Sequence, residues 1–150
     1  MSAYFGYSTY FGYGVDLSKL SLENLEGFMK SYDPEYYEDM LECLEYTEQD
    51  ATDEDIFDFL NDYSNEYGYY GISAYLSDII NKKEELELGC YDNVVNGYIY
   101  VPMQYPWDGN QNMRNLTREK VQEIFEKYLS GITKNEIVCE ELVMYVDNMA

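Results

Sequence analysis

The chain has no histidine, and only nine lysines and arginines, three cysteines and three prolines in 150 residues. Without histidine there is no Ser-His or Cys-His nucleophile pair, no imidazole to move protons near neutral pH, and none of the commonest metal ligand. Nine cations against thirty acids give a formal charge of -21, which argues against any surface that neutralises phosphates and so against direct nucleic-acid binding. Cys43, Cys90 and Cys139 are odd in number and far apart with no CxxC, a pattern that predicts reduced, buried thiols in a cytoplasmic protein. No apolar run approaches the roughly 18 residues of a membrane span, and no basic region leads into an apolar one at the N-terminus. GxxxxGK[ST], GxSxG and HExxH are all missing, and with them the nucleotide and hydrolase motifs. Asp92-Asn93-Val94 opens like a calcium loop, but Val94 and Met103 stand where the third and twelfth ligands belong, so no metal and no cofactor are expected.

Aromatics are plentiful. Nineteen tyrosines, six phenylalanines and one tryptophan within a 46 % apolar composition separate the chain from an acidic disordered tail. One domain over residues 1–150 is expected. Tyr4-Phe5-Gly6-Tyr7 repeats as Tyr10-Phe11-Gly12-Tyr13 with an even period, so Phe5, Tyr7, Thr9, Phe11, Tyr13 and Val15 should share the heavy face of a strand. Four amphipathic helices should follow: one capped by Ser21, one entered through Asp33-Pro34, one capped by Thr52, and one carrying Ile72, Tyr75, Leu76, Ile79 and Ile80. Cys90 to Val95 and Tyr98 to Val101 flank Asn96-Gly97 and predict a β-hairpin. A Pro- and Asn-rich loop with Met103, Tyr105 and Trp107 should lead to a fifth helix from Thr117, ended by Gly131, and then to a last strand over Ile137 to Val146. The expected class is α+β: about five helices with a small, mostly antiparallel sheet formed by the N-terminal strand, a central hairpin and the C-terminal strand.

The charge is unevenly placed. Between Lys30 and Lys82 lie fifty-one residues with fifteen acids and no cation, an acidic helical segment at about 31–81 that carries -15 of the -21. Glu35, Glu38, Glu42 and Glu45 fall at 0, 3, 7 and 10 on the second expected helix, and Asp55, Asp58 and Asp62 at 0, 3 and 7 on the third. Like charges at these spacings destabilise an isolated helix by a few tenths of a kcal/mol per pair, so stability alone does not favour such stripes. A stripe of four has one charge per roughly 5 Å, against one per about 1.7 Å for duplex DNA, and two such helices side by side approach two thirds of duplex density. Tyr36, Tyr46, Tyr67, Tyr69 and Tyr70 lie in or beside the segment, where rings next to carboxylates suit arginine.

In size, charge and its basic-free segment the chain resembles small acidic, often phage-encoded proteins that mimic nucleic acid and inhibit defence nucleases, anti-CRISPR proteins among them. The resemblance implies a non-enzymatic inhibitor in the host-cell cytoplasm whose partner is a basic nucleic-acid-handling protein such as a CRISPR effector. The candidate contacts are Glu35, Glu38, Glu42, Glu45, Asp55, Asp58 and Asp62, with Tyr36, Tyr67 and Tyr69 as anchors. The alternative is an interaction or assembly module that uses the Tyr105-Pro106-Trp107 loop or the N-terminal tyrosine strand. A carboxylate-based enzyme is a third reading with little behind it, because with thirty acids close pairs arise by chance.

Overall fold

A computed structural model describes residues 4–61, 71–92, 97–105, 107 and 110–149, with the backbone alone at 4–8 and 145–149. The fold is α+β. In chain order the elements are β1 (Tyr4–Asp16), a 3-10 turn at Leu17–Lys19, α1 (Leu25–Tyr32), α2 (Pro34–Cys43), α3 (Asp53–Asn61), α4 (Ile72–Glu84), β2 (Gly89–Asp92), β3 (Gly97–Val101), α5 (Gln111–Arg114), α6 (Arg118–Leu129) and β4 (Glu140–Met149). The strands form one antiparallel sheet in the order β2-β3-β1-β4. Among the described residues no helix is long and apolar enough to cross a membrane.

The core lies between the helices and one face of the sheet. Met29 of α1, Met40 of α2, Ile56 and Leu60 of α3, Leu76 and Ile80 of α4, and Phe125 and Leu129 of α6 are buried against Val15 and Ile99. Of the apolar positions read at helical spacing on α4, Tyr75, Leu76, Ile79 and Ile80 are buried and Ile72 is half-buried. α3 begins as expected at Thr52, whose hydroxyl accepts from the Asp55 N–H at 3.1 Å while the Asp55 carboxylate accepts from the Thr52 N–H at 3.0 Å, a reciprocal capping box. Thr117 caps α6 in the same way through the Lys120 N–H.

Other local expectations are corrected. Ser21 does not cap α1; Asn24 holds the N-cap position in a left-handed conformation with no side-chain cap bond, and Asp53 of α3 caps the helix from outside, accepting from the Asn24 and Leu25 N–H groups at 3.1 and 2.9 Å. Pro34 opens α2 as expected, but the Asp33 side chain makes no cap and accepts from the Tyr75 hydroxyl instead. In the hairpin Gly97 belongs to β3, opposite Asp92, so the connection is residues 93–96, outside the described residues. β4 starts at Glu140 rather than Ile137, because Gln122 of α6 takes the Ile137 carbonyl and the Cys139 N–H with its amide and so occupies the place of a neighbouring strand. The one-turn α5, capped by Asn110, lies in what reads as loop. Cys139 is buried, but Cys43 at the end of α2 and Cys90 on the edge strand β2 are exposed, against the expectation of three buried thiols.

The strand parity of β1 holds at Tyr13 and Val15, which face the helices, and fails at Phe11. A bulge between Tyr10 and Gly12 makes Phe11 an extra residue in the pairing with β4. Its ring joins Tyr91, Tyr98 and Tyr100 on the opposite face, 4.9 to 5.6 Å between centroids, while Tyr10 comes over to the Tyr13 side. Glycine is required at the bulge. Gly12 has φ +147°, and a Cβ there would lie 2.1 Å from the Val101 carbonyl oxygen.

Candidate functional site

α2 begins at a proline, keeps Tyr37 and Met40 inward, and so turns Glu35, Glu38 and Glu42 to solvent. The fourth member of the expected stripe is not on the helix. α2 ends at Cys43, and Glu45 follows in a left-handed turn at φ +60°, where the Tyr46 N–H reaches the Leu41 carbonyl and the Glu45 N–H reaches that of Glu42. This is a Schellman ending with glutamate in the position that glycine usually takes. Glu45 remains exposed but leaves the helical line.

On α3, Asp58 is exposed. Asp55 is partly occupied: the Thr52 N–H, the Thr52 hydroxyl and the Tyr46 hydroxyl all bond its carboxylate and hold it below its ordinary pKa. Asp62, Tyr67 and Tyr69 lie outside the described residues, as does Tyr70. Tyr36 is not a free anchor, because its ring stacks on Tyr75 at 5.4 Å and meets Phe59 at 6.0 Å, which leaves it half-buried. α1 packs against both acidic helices, α2 meets α3 through Tyr36 on Phe59, and Tyr46, in the turn after α2, bonds Asp55. Among the described residues Glu35, Glu38, Glu42, Glu45 and Asp58 take part in none of the ion pairs, whereas Glu26 and Asp50 share Lys30 and Asp78 pairs with Lys82. The acids thus divide into those that build the fold and those that only face water.

Tyrosine has a structural share in that division. The Tyr128 hydroxyl bonds Glu84 at 2.5 Å, Tyr75 bonds Asp33 at 3.1 Å, Tyr37 bonds Asp50 at 3.3 Å while accepting from the Ala51 N–H, and Tyr10 bonds Glu141. With few cations available, hydroxyls serve as donors to carboxylates, half-buried at Asp33 and Glu84 and exposed at Asp50 and Glu141. Glu84 is held below its ordinary pKa by the Tyr128 hydroxyl and then by Lys127, and Tyr128 is pushed up by burial and by that same bond. Burial raises the Cys139 thiol to about 12.

A second surface lies on the helix side of the sheet. A cleft of about 500 Å³ is lined by Tyr10 and Tyr13 of β1, Met103 to Tyr105 of the loop, Arg114 of α5, Arg118 of α6 and Glu141 of β4. These are the only two arginines of the chain. Arg118 pairs with Glu141 and stands 4.6 Å over the Tyr13 ring. Tyr105 stacks flat on Trp107 at 4.9 Å, and Trp107 is 77 % exposed. The aromatic loop and the N-terminal strand, alternatives in the sequence, therefore border one cleft. Loop composition gives the aromatic half of that surface in advance. The convergence of both arginines upon it has no signal in the sequence, since they reach it from two helices.

Among the described residues no group of three or more acids or cysteines is placed to hold a metal ion. No protein-family model, no curated protein and no solved structure matches the chain.

Proposed function

We propose that the chain is a non-enzymatic inhibitor that binds the positively charged channel of a nucleic-acid-handling protein, a CRISPR effector or a similar defence nuclease, in the cytoplasm where that partner works. One observation carries the reading: Glu35, Glu38, Glu42 and Glu45 at α2 and Asp58 on α3 are exposed and unpaired among the described residues, in a fifty-one-residue stretch with no cation. Such a field speeds encounter with a basic groove, and in the bound state arginines that otherwise hold phosphates meet carboxylates. Asp55 contributes charge from a fixed position as part of the capping box, so it belongs to the face without being a good residue to replace.

The experiment is inhibition of target cleavage by Cas9-type effectors, wild type against the combined Glu35→Lys, Glu38→Lys, Glu42→Lys and Asp58→Lys variant. Potency should fall by about 100-fold with an unchanged circular-dichroism spectrum, and wild-type potency should weaken steeply towards roughly 0.5 M salt. A variant of undiminished potency would overturn the reading. A second reading has its own observation: Tyr10, Met103, Tyr105, Trp107 and Val143, five of the six exposed large apolar residues among those described, gather at or beside the arginine cleft. Tyrosine, tryptophan, methionine and arginine are the residues enriched in interfaces, so an interaction module would use this cleft, and its binding would change little with salt.

A further inference from the structure

β3 pairs with β1 only from Tyr13 onward, so over Tyr4–Gly12 the partner of β1 among the described residues is β4 alone. The sheet thus extends as a two-stranded ribbon, and β4 is its edge for all ten residues, Glu140–Met149. Two strands by themselves are marginal in water, and an open edge presents a row of backbone donors and acceptors. β4 has no proline, no lysine and no bulge of its own, the extra residue at the irregularity being in β1, and its three charged positions, Glu140, Glu141 and Asp147, stand towards its two ends and leave 142–146 uncharged.

We propose that β4 is a self-association edge, pairing antiparallel with β4 of a second copy to continue the sheet across a two-fold axis. Electrostatics selects the occupant. Residues 1–15 and 142–146 carry no charged side chain, in a chain of -21, so the ribbon is the place where two copies approach with least repulsion and where a basic partner finds no acid to hold. The register agrees. With Val143 placed opposite its own symmetry mate, position 140 falls opposite 146 and 141 opposite 145, while position 147 falls beyond the start of the mate's β4, so no acidic position opposes another. Tyr10 already pairs with Val143, and these two are exposed by 48 % and 46 %. The two-fold joins them into one row, Tyr10-Val143-Val143-Tyr10, across both copies. The dimer would carry two acidic faces at a distance from its seam, and it forms whatever those faces bind.

Sedimentation equilibrium of the full chain tests this over about 1 to 100 µM, at low salt and at roughly 0.5 M salt. A dimer is expected that tightens as salt screens the like-charged copies, the opposite sign from binding through the acidic helices. Val143→Lys and Val143→Asp should each weaken it by about 10-fold or more, while Val138→Lys, at an exposed position outside β4, should leave it unchanged. Circular dichroism verifies that each variant folds. A wild type that stays monomeric at both salts overturns the proposal, as does a dimer weakened by Val143→Asp but not by Val143→Lys, which would be a net-charge effect.

Discussion

The acidic helices and the sheet end are built on opposite terms. In α2 and α3 the backbone bonds run mostly within the helices, and what they present is side-chain charge with no counter-charge. In the β1–β4 ribbon charge is sparse, and what it presents is backbone. Charge acts over a Debye length of about 8 Å and selects by sign, whereas a strand edge acts at contact and selects by shape and register. If both proposals hold, salt should weaken binding at the acidic helices and strengthen pairing at the strand edge, so the two can be told apart in one titration.

The largest expected effect separates the free acids from the engaged ones. Replacing Glu35, Glu38, Glu42 and Asp58 together by glutamine should cost the partner affinity about 100-fold yet leave stability unchanged or raised by about 0.5 kcal/mol, since only like-charge repulsion is removed from the fold. Urea denaturation beside a cleavage assay measures both. Asp53→Ala should do the reverse, losing about 1 to 2 kcal/mol as the Asn24 and Leu25 N–H groups lose their acceptor, with little change in potency. Next comes Glu84→Gln. Because the folded state lowers the Glu84 pKa, its contribution is present above the ordinary carboxylate range and is lost as pH falls through the lowered folded value. The variant should lose about 1 kcal/mol at neutral pH and show a flatter acid limb in denaturation midpoints. Glu85→Gly should be the smallest and of opposite sign, a gain of about 0.5 to 1 kcal/mol, since Glu85 holds a left-handed φ of 56° at the end of α4. Outside both surfaces, a thiol reagent should modify Cys43 and Cys90 in the native protein and reach Cys139 only on unfolding.

Helical periodicity is legible because it repeats: Ile56, Phe59 and Leu60 on α3 and Val121, Phe125, Tyr128 and Leu129 on α6 stand at their expected spacing and are buried. Features set by one long-range contact are not legible. The bulge that turns Phe11 to the far face shows itself only once β4 is aligned, and Gln122 posing as a strand for Ile137 and Cys139 depends on where α6 lies. The same holds for the acids. Composition gives their number, and spacing gives the stripe on α2 up to Glu42. It takes the fold to tell Asp53, which caps α1, and Asp92, which accepts from the Ser73 and Ala74 N–H groups at the start of α4, from neighbours that bond nothing. Tyr36 illustrates the converse, since a ring beside carboxylates in sequence is a packing ring in space.

Trp107 is the one tryptophan of the chain, and it stands at the rim of the arginine cleft, stacked on Tyr105 and open to solvent. That makes the molecule its own optical probe. Excited selectively, its indole should emit at the long wavelengths of a hydrated ring, and its quenching by iodide or acrylamide reports on this surface alone, the acidic helices having no comparable fluorophore. A partner that shields Trp107 has taken the cleft, and a partner that binds tightly while leaving the emission untouched has taken the other side.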